Sequence, residues 1–281
     1  MGGENTDLQN GFIFKRVEIK YLLNHEKYEK FLQAIEPYMQ ADEYGLSAIC
    51  NIYFDTADDE LIRTSIEKPF YKEKLRLRSY GTPDNDNSKV YLEIKKKYDS
   101  VVYKRRISLT LKEAKDYLLN GIRPAKDSQI LKELDYFMEH YHPVPRLYIA
   151  YDRTAYFGKE NHDFRMTFDS HIRSRRTDLL LEKGDSGSEL YDTDYHLLET
   201  KVGGAYPLWL VKILSDNEIY PVSFSKYGNI YKKELTGGIE YDGAIIKVLG
   251  LSESRPVLPE KVISFDGFEM GKKGERAAAA N

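Results

Sequence analysis

The chain has 281 residues, 41% of them hydrophobic, and a formal net charge of −3. That is enough apolar material for one large domain or two small ones, and too little charge of either sign for global attraction to nucleic acid. Cys50 is the only cysteine, which excludes an intramolecular disulfide and a cysteine-based zinc site and fits a reducing cytoplasm.

In chain order, residues 1–13 read as a flexible N-terminus holding Glu4 and Asp7 where a signal peptide would place its apolar core. No later run approaches the roughly 18 apolar residues of a membrane span, so a soluble, cytoplasmic chain without a membrane segment is expected. One domain is expected over 14–250 and a partly disordered extension over 251–281, ending in Arg276, four alanines and Asn281. β-Branched and aromatic residues predict strands near 14–22, 47–55, 71–80, 89–98, 101–109, 146–156, 163–172 and 194–202, with a further short one near 219–224. Between them, Tyr28, Phe31, Leu32 and Ile35 form one helical stripe and Ile130, Leu134, Phe137 and Tyr141 another. Thr110-Leu111-Lys112-Glu113 reads as a capping box opening a helix that stops at Gly121, and Pro207 to Leu214, with Trp209, reads as a short helix. Pro83 to Ser88 and Gly184 to Ser188 read as loops. Short turns such as Tyr98-Asp99-Ser100 make the architecture α+β and mostly antiparallel, with about eight strands, enough to close a barrel.

The strands carry an unusual charge pattern. Arg16-Val17-Glu18-Ile19-Lys20, Lys74-Leu75-Arg76-Leu77-Arg78, Glu93-Ile94-Lys95-Lys96-Lys97, Lys104-Arg105-Arg106, Arg165-Met166-Thr167-Phe168-Asp169 and Glu199-Thr200-Lys201 place charges two residues apart. Residues i and i+2 share a strand face, so charge lies on one face and Val, Ile, Leu, Met or Phe on the other. A solvated sheet face can look like this, but a surface built for solubility mixes signs. Here the shared faces collect Lys74, Arg76, Arg78, Lys95, Lys97, Lys104 and Arg106 against few carboxylates. Neighbouring cations repel unless an anion lies between them, so the pattern predicts a charged lumen that holds a polyanion.

Familiar catalytic signatures fail. Gly267 to Lys273 is one residue short of a Walker A loop and has Lys273 where Ser or Thr would bind magnesium; Gly184-Asp185-Ser186-Gly187 lacks an ordered His and Asp context; and no GxGxxG occurs. The six histidines, His140 and His142 among them, show no HExxH spacing and read as surface or helix-end residues.

Read in order, Val17-Glu18-Ile19-Lys20-Tyr21, Tyr53-Phe54-Asp55-Thr56, Leu75-Arg76-Leu77-Arg78-Ser79-Tyr80-Gly81, Leu92-Glu93-Ile94-Lys95, Tyr151-Asp152-Arg153-Thr154-Ala155-Tyr156, Leu198-Glu199-Thr200-Lys201 and Phe224-Ser225-Lys226-Tyr227 resemble the polyphosphate polymerase (VTC) domain. This is the catalytic domain of the vacuolar transporter chaperone complex, in the triphosphate tunnel metalloenzyme superfamily, and the resemblance spans about Phe14 to Leu235. It implies an eight-stranded antiparallel β tunnel barrel with flanking helices, binding ATP and inorganic polyphosphate with a divalent cation, Mn or Mg. The implied activity moves the terminal phosphoryl of ATP onto a growing polyphosphate chain. The resemblance places Lys20, Lys74, Arg76, Arg78, Lys95, Lys104, Arg106, Arg153, Arg165, Lys201, Ser225, Lys226 and Tyr227 on phosphate, the Ser225 to Tyr227 segment at a last strand. Among these, Arg76, Arg78, Lys95, Arg153, Arg165, Lys201 and Lys226 would act in catalysis. Glu199 takes the metal, with Glu18 and Glu93 either assisting or pairing with neighbouring cations, and pairing preferred. These roles agree with phosphoryl-transfer chemistry, which needs charge neutralisation and in-line positioning more than a protein nucleophile. With no transmembrane segment or phosphate-sensing domain, the expected enzyme stands alone and does not translocate its product. Two other readings stay open: a tripolyphosphatase or nucleoside triphosphatase of the same fold, and a non-catalytic polyphosphate-binding module. An RNA-binding barrel would interleave aromatic platforms with the cations, whereas the aromatics here mostly lie opposite the charges, as Phe168 does against Arg165 and Asp169, so no nucleic-acid partner is expected.

Overall fold

Alternation with period two makes long strands, and the computed structural model, which describes residues 16–99, 101–191 and 194–237, contains them where the pattern predicts. In order the elements are β1 (Arg16–Asn24), α1 (His25–Ile35), β2 (Met39–Ala41), β3 (Ser47–Asp55), α2 (Glu60–Ile66), β4 (Tyr71–Tyr80), β5 (Lys89–Tyr98), β6 (Val101–Thr110), α3 (Leu111–Asn120), α4 (Gln129–Tyr141), β7 (Val144–Gly158), β8 (Arg165–Arg175), β9 (Ser188–Glu189), β10 (Tyr195–Gly203), α5 (Leu208–Asp216) and α6 (Lys226–Leu235). The expectations for 1–13, for 251–281 and for the Gly267 to Lys273 run lie outside the described residues.

The main sheet runs β1-β10-β8-β7-β3-β4-β5-β6, with β2 added to β7 and β9 to β8. Every pairing is antiparallel. The α+β class and the eight antiparallel strands are as expected. The sheet curls into a half-barrel: among the described residues its end strands β1 and β6 do not pair with each other.

Apolar residues on the convex face explain why the helices sit there. Leu75, Leu77, Leu92 and Ile94 pack with Leu111, Ala114, Leu131, Leu134 and Phe137 of α3 and α4, while Met166, Phe168 and Leu198 pack with Phe31, Ile35, Leu210 and Leu214 of α1 and α5. Each fully buried Leu or Phe contributes about 1.5–3 kcal/mol, so these layers hold the curl. A third cluster lies on the other side of the sheet: Ile49, Leu147, Ile149 and Leu197 meet Ile62 of α2 and Tyr227 and Ile230 of α6. These two helices therefore close one end of the concavity.

Local chemistry fixes the helix ends. Asn24 caps α1 by accepting from the Lys27 N–H, and α3 has the expected capping box between Thr110 and Glu113, with Gly121 at φ 69° ending it in the left-handed region. The short strand near 219–224 does not form. Only an isolated Tyr21–Pro221 bridge and the Val222 N–H to Lys20 O bond remain, because Pro221 has no N–H to extend a ladder. The Ser225-Lys226-Tyr227 segment is consequently the start of α6, with Ser225 as its N-cap, and is not a strand. In the Gly184 to Ser188 region, Ser188 belongs to the two-residue β9. Among the described residues no helix is long and apolar enough to cross a membrane.

Candidate functional site

Strand register gathers the charged residues on the concave face. On one wall, Lys20 of β1 lies opposite Glu199 of β10, Glu18 opposite Lys201, and Lys201 opposite Arg165 of β8. On the other, Lys74 lies opposite Lys95, and Lys95 opposite Lys104; Arg76 lies opposite Glu93, and Glu93 opposite Arg106. The walls feel each other, since burial first and then Lys20 and Arg76 depress the Lys95 ammonium pKa while Glu18 and Glu199 work against them.

The arginine wall is pre-ordered. Glu93 is 1% exposed; it takes Arg76 at 2.6 Å and Lys104 at 2.9 Å, with Arg106 at 3.8 Å and Arg78 at 3.9 Å. Burial pushes its carboxyl pKa up, but Arg76, Arg78 and Lys104 outweigh that and hold it at about 2. Arg76 also donates to the Tyr53 hydroxyl at 3.2 Å, and Arg78 donates to Asn51 Oδ1 at 2.9 Å and the Tyr151 hydroxyl at 3.1 Å. Asn51 is held by its own bond to Ile149 O at 3.1 Å. Both guanidinium groups are thus fixed before any anion arrives, which lowers the ordering cost of binding one.

The closed end is built on Asp169, fully buried, which accepts a forked pair of bonds from Arg153 at 2.5 and 2.8 Å and a further one from Lys226. Lys226 sits 4.2 Å from the Tyr151 ring centroid. Burial raises the Asp169 carboxyl pKa, yet Lys226 and Arg153 bring it below its ordinary value. The segment before α6 ties three strands together: Lys20 donates to Phe224 O at 3.3 Å, Lys74 to Ser225 Oγ at 3.1 Å, and Lys226 reaches Asp169. Burial, opposed by Tyr53 and reinforced by Lys72 and Lys95, lowers the Lys74 ammonium to about 8.

The third feature is the Glu199 wall. Glu199 is 8% exposed, with Lys201 at 2.5 Å and Lys20 at 3.6 Å. Glu18 reaches the same two lysines at 3.7 and 3.9 Å. Burial raises the Glu199 carboxyl pKa, but Lys201 and Lys20 outweigh it and hold the group well below its usual range. Two carboxylates on adjacent strands, facing the interior, fit a hard divalent ion that keeps waters and phosphate oxygens in its remaining positions. Glu93 does not fit that role because four cations, Arg76, Arg78, Lys104 and Arg106, enclose it at 1% exposure, whereas the Glu199 partner Lys201 is 37% exposed.

The fold thus brings Lys20, Lys74, Arg76, Arg78, Lys95, Lys104, Arg106, Arg153, Lys201 and Lys226 around one concavity, with Arg165 beside Lys201 at an exposed position of β8. Tyr227 is a correction. It is 3% exposed, packed among Ile62 and Ile230, and its hydroxyl donates to Asp55 at 3.0 Å, so it supports the floor and presents nothing to the interior. The aromatics do not all lie opposite the charges either: Tyr53, Tyr151 and Tyr91 line the basic face, Arg106 lying 4.4 Å from the Tyr91 ring centroid. Sequence reasoning missed Asn51, Tyr53 and Tyr151 as arginine partners. Their signal was the i, i+2 spacing of Asn51 and Tyr53 opposite Arg78 and Arg76. The histidines also differ from expectation. His25, Asp194 and His196 converge on one place, and His196 is buried in a strand.

Comparison with known proteins adds the following. The sequence profile of the VTC domain family matches residues 15–234. No curated protein matches. Among solved structures, a putative adenylate cyclase from Bacillus halodurans aligns with TM-score 0.47 and 15% identity over 75% of this chain and 93% of its own. A protein from Pyrococcus horikoshii aligns at 0.41 and 12% over 78% and 99%, and the Mimivirus capping enzyme triphosphatase at 0.31 and 9% over 72% and 86%.

Proposed function

The chain belongs to the VTC domain family, and from that premise we propose that it is a metal-dependent, ATP-driven polyphosphate polymerase. The observation that carries the reading is the ion pairing of the concave face. Its buried carboxylates Glu93, Asp169 and Glu199 are all ion-paired and held below their ordinary pKa, so none is poised as a general base near neutral pH. Hydrolysis needs a water deprotonated. A terminal polyphosphate oxygen is already ionised and needs only positioning, which favours transfer to phosphate over transfer to water.

Arg76 and Arg78 grip triphosphate oxygens as fixed forks, while Lys20, Lys74, Lys95 and Lys201 act as point charges. Lys104, Arg106 and Arg165 extend the basic track along which product leaves. Glu199, with Glu18, would hold the divalent cation, manganese or magnesium. When bound, that ion neutralises charge building on the transferring phosphoryl oxygens. In the step itself, a terminal oxygen of the acceptor chain bonds to the γ-phosphorus of ATP, the bond from that phosphorus to the β–γ bridging oxygen breaks, and ADP departs with the electron pair. Lys226 and Arg153, anchored on Asp169, neutralise phosphate at the closed end. A cytoplasmic location belongs to this reading, supported by the free, buried Cys50.

One observation favours a second reading. Lys74, lowered to about 8, becomes a competent base in mildly alkaline solution, where hydrolysis of triphosphate gains ground. Incubation with ATP and manganese at pH 7, resolved on a gel against free phosphate release, separates the two. Long polymer with little orthophosphate is expected; orthophosphate alone identifies a hydrolase.

A further inference from the structure

The convex side of the β1–β10 pair carries a cluster that the basin does not use. His25 is the first residue of α1, directly after β1; Asp194 lies just before β10; His196 is the second residue of β10 and pairs with Leu23. Strand alternation turns His196 away from the face that carries Glu199. His25 Nδ1 lies 2.9 Å from one Asp194 carboxylate oxygen, and His196 Nε2 lies 3.0 Å from the other. One ligand atom from each of the three residues falls within 4.8 Å of the others.

His196 supplies a second, independent observation. It is 9% exposed, yet its Nε2 makes no hydrogen bond, the nearby carboxylate being out of alignment. Its ring is locked by parallel stacking on Tyr28 of α1, centroids 3.6 Å apart and planes 5° from parallel. That nitrogen lies 3.0 Å from the Asp194 carboxylate without bonding to it, so the two present adjacent donors to an incoming ion.

We propose that His25, Asp194 and His196 form a binding site for a zinc-class transition metal, separate from the oxygen-donor face in the basin, that clasps the start of α1 to the edge of β10. The donor set decides the metal class. Two imidazole nitrogens and one carboxylate suit zinc, cobalt, nickel or copper, whereas manganese and magnesium prefer oxygen. Tetrahedral donors around zinc sit roughly 3.3 Å apart, and three donor atoms already within 4.8 Å of one another reach that spacing by side-chain adjustment alone. A water takes the fourth position, because the site faces solvent through His25 and Asp194, both exposed. Since the ligands come from segments about 170 residues apart, the ion restrains a large loop of the unfolded chain and stabilises the fold.

The test uses the full chain, stripped with chelator, in a buffer free of phosphate and nucleotide. Titration calorimetry with zinc chloride should show one site, and cobalt should give the visible absorption of a nitrogen-ligated tetrahedral ion. His25→Ala and Asp194→Asn alter exposed positions and leave the fold intact; each should weaken zinc binding roughly tenfold or more, and zinc should raise the Tm of the wild-type chain but not that of Asp194→Asn. Glu199→Gln should bind zinc as the wild type does. Zinc binding that survives both His25→Ala and Asp194→Asn, that disappears in Glu199→Gln, or that is absent from the wild-type chain overturns the proposal.

Discussion

The two walls of the concavity neutralise themselves in opposite ways. On the β4–β5 wall, Arg76 and Arg78 are immobilised by Glu93, Tyr53, Asn51 and Tyr151, and Glu93 is 1% exposed. On the β1–β10 wall, Lys20 and Lys201 share Glu18 and Glu199 at distances from 2.5 to 3.9 Å, and Glu18 and Lys201 are each 37% exposed. The first wall is a rigid receptor whose charges are in place before binding. The second is a set of shared pairs, and in the proposed reaction its lysines turn to phosphate and free Glu199 for a cation. Rigidity on one side and exchange on the other suit a substrate that must be gripped and then advanced.

The largest expected effect breaks the rigid wall. Glu93→Gln leaves Arg76 and Lys104 without their buried counter-charge and should cost about 3–5 kcal/mol of stability, read by chemical denaturation. The same carboxyl sets an acid limit. Its folded pKa of about 2 lies below the ordinary 4.5, so its stabilisation is fully present above pH 4.5 and is lost as pH falls through about 2. The wild-type chain should lose stability over that window, and Glu93→Gln should lose less.

On the exchangeable wall, Glu199→Gln should preserve the fold, because the amide keeps the shape of the side chain and its closest partner, Lys201, is 37% exposed and can turn to water. Turnover should drop by roughly a hundredfold or more, since the charge that holds the cation is gone. Unchanged turnover at saturating manganese would remove Glu199 from the metal site and make Glu18 the leading ligand.

Binding sharpens the comparison further. Arg76→Ala and Arg78→Ala should each weaken tripolyphosphate binding by about 1.5–3 kcal/mol, the range for hydrogen bonds to charged groups. Lys20→Ala and Lys201→Ala should each lose about 1 kcal/mol or less, as expected of half-exposed point charges. Calorimetry at two salt concentrations checks this, with the lysine losses shrinking more at high salt. Equal losses on both walls would erase the distinction between them.

The smallest effect is a pH dependence. Lys74 has a folded pKa of about 8, below its ordinary 10.5, and must be charged to hold phosphate. Affinity should therefore be constant below pH 7 to 8 apart from the titration of phosphate itself, and should decline as pH rises from 8 towards 10. Lys74→Arg, always charged, should flatten that decline.

Much of this was legible in the sequence because charge and apolarity alternate along the same strands, so one pattern named the strands, the convex core and the basic face. The closed end was not legible. α6 begins with Lys226 and then Tyr227-Gly228-Asn229, three weak helix formers in a row, and Ser225 as its cap was indistinguishable from a turn. α2 follows Asp59, which has φ 62° and caps no N–H, so it sends no start signal. Tyr53 and Tyr151 alternate as core residues do, and only their hydroxyl partners place them on the basic face. His25 and His196 are joined by strand pairing alone, which no local spacing encodes.

The most direct test of the account follows the γ-phosphoryl group. With γ-labelled ATP, manganese and a tripolyphosphate primer at pH 7, the label should appear mainly in polymer longer than the primer. Lys226→Ala, which removes a cation anchored on Asp169 at the closed end, should lose polymer synthesis by a larger factor than ATP affinity. Label recovered as orthophosphate, with no chain longer than the primer, would contradict the account.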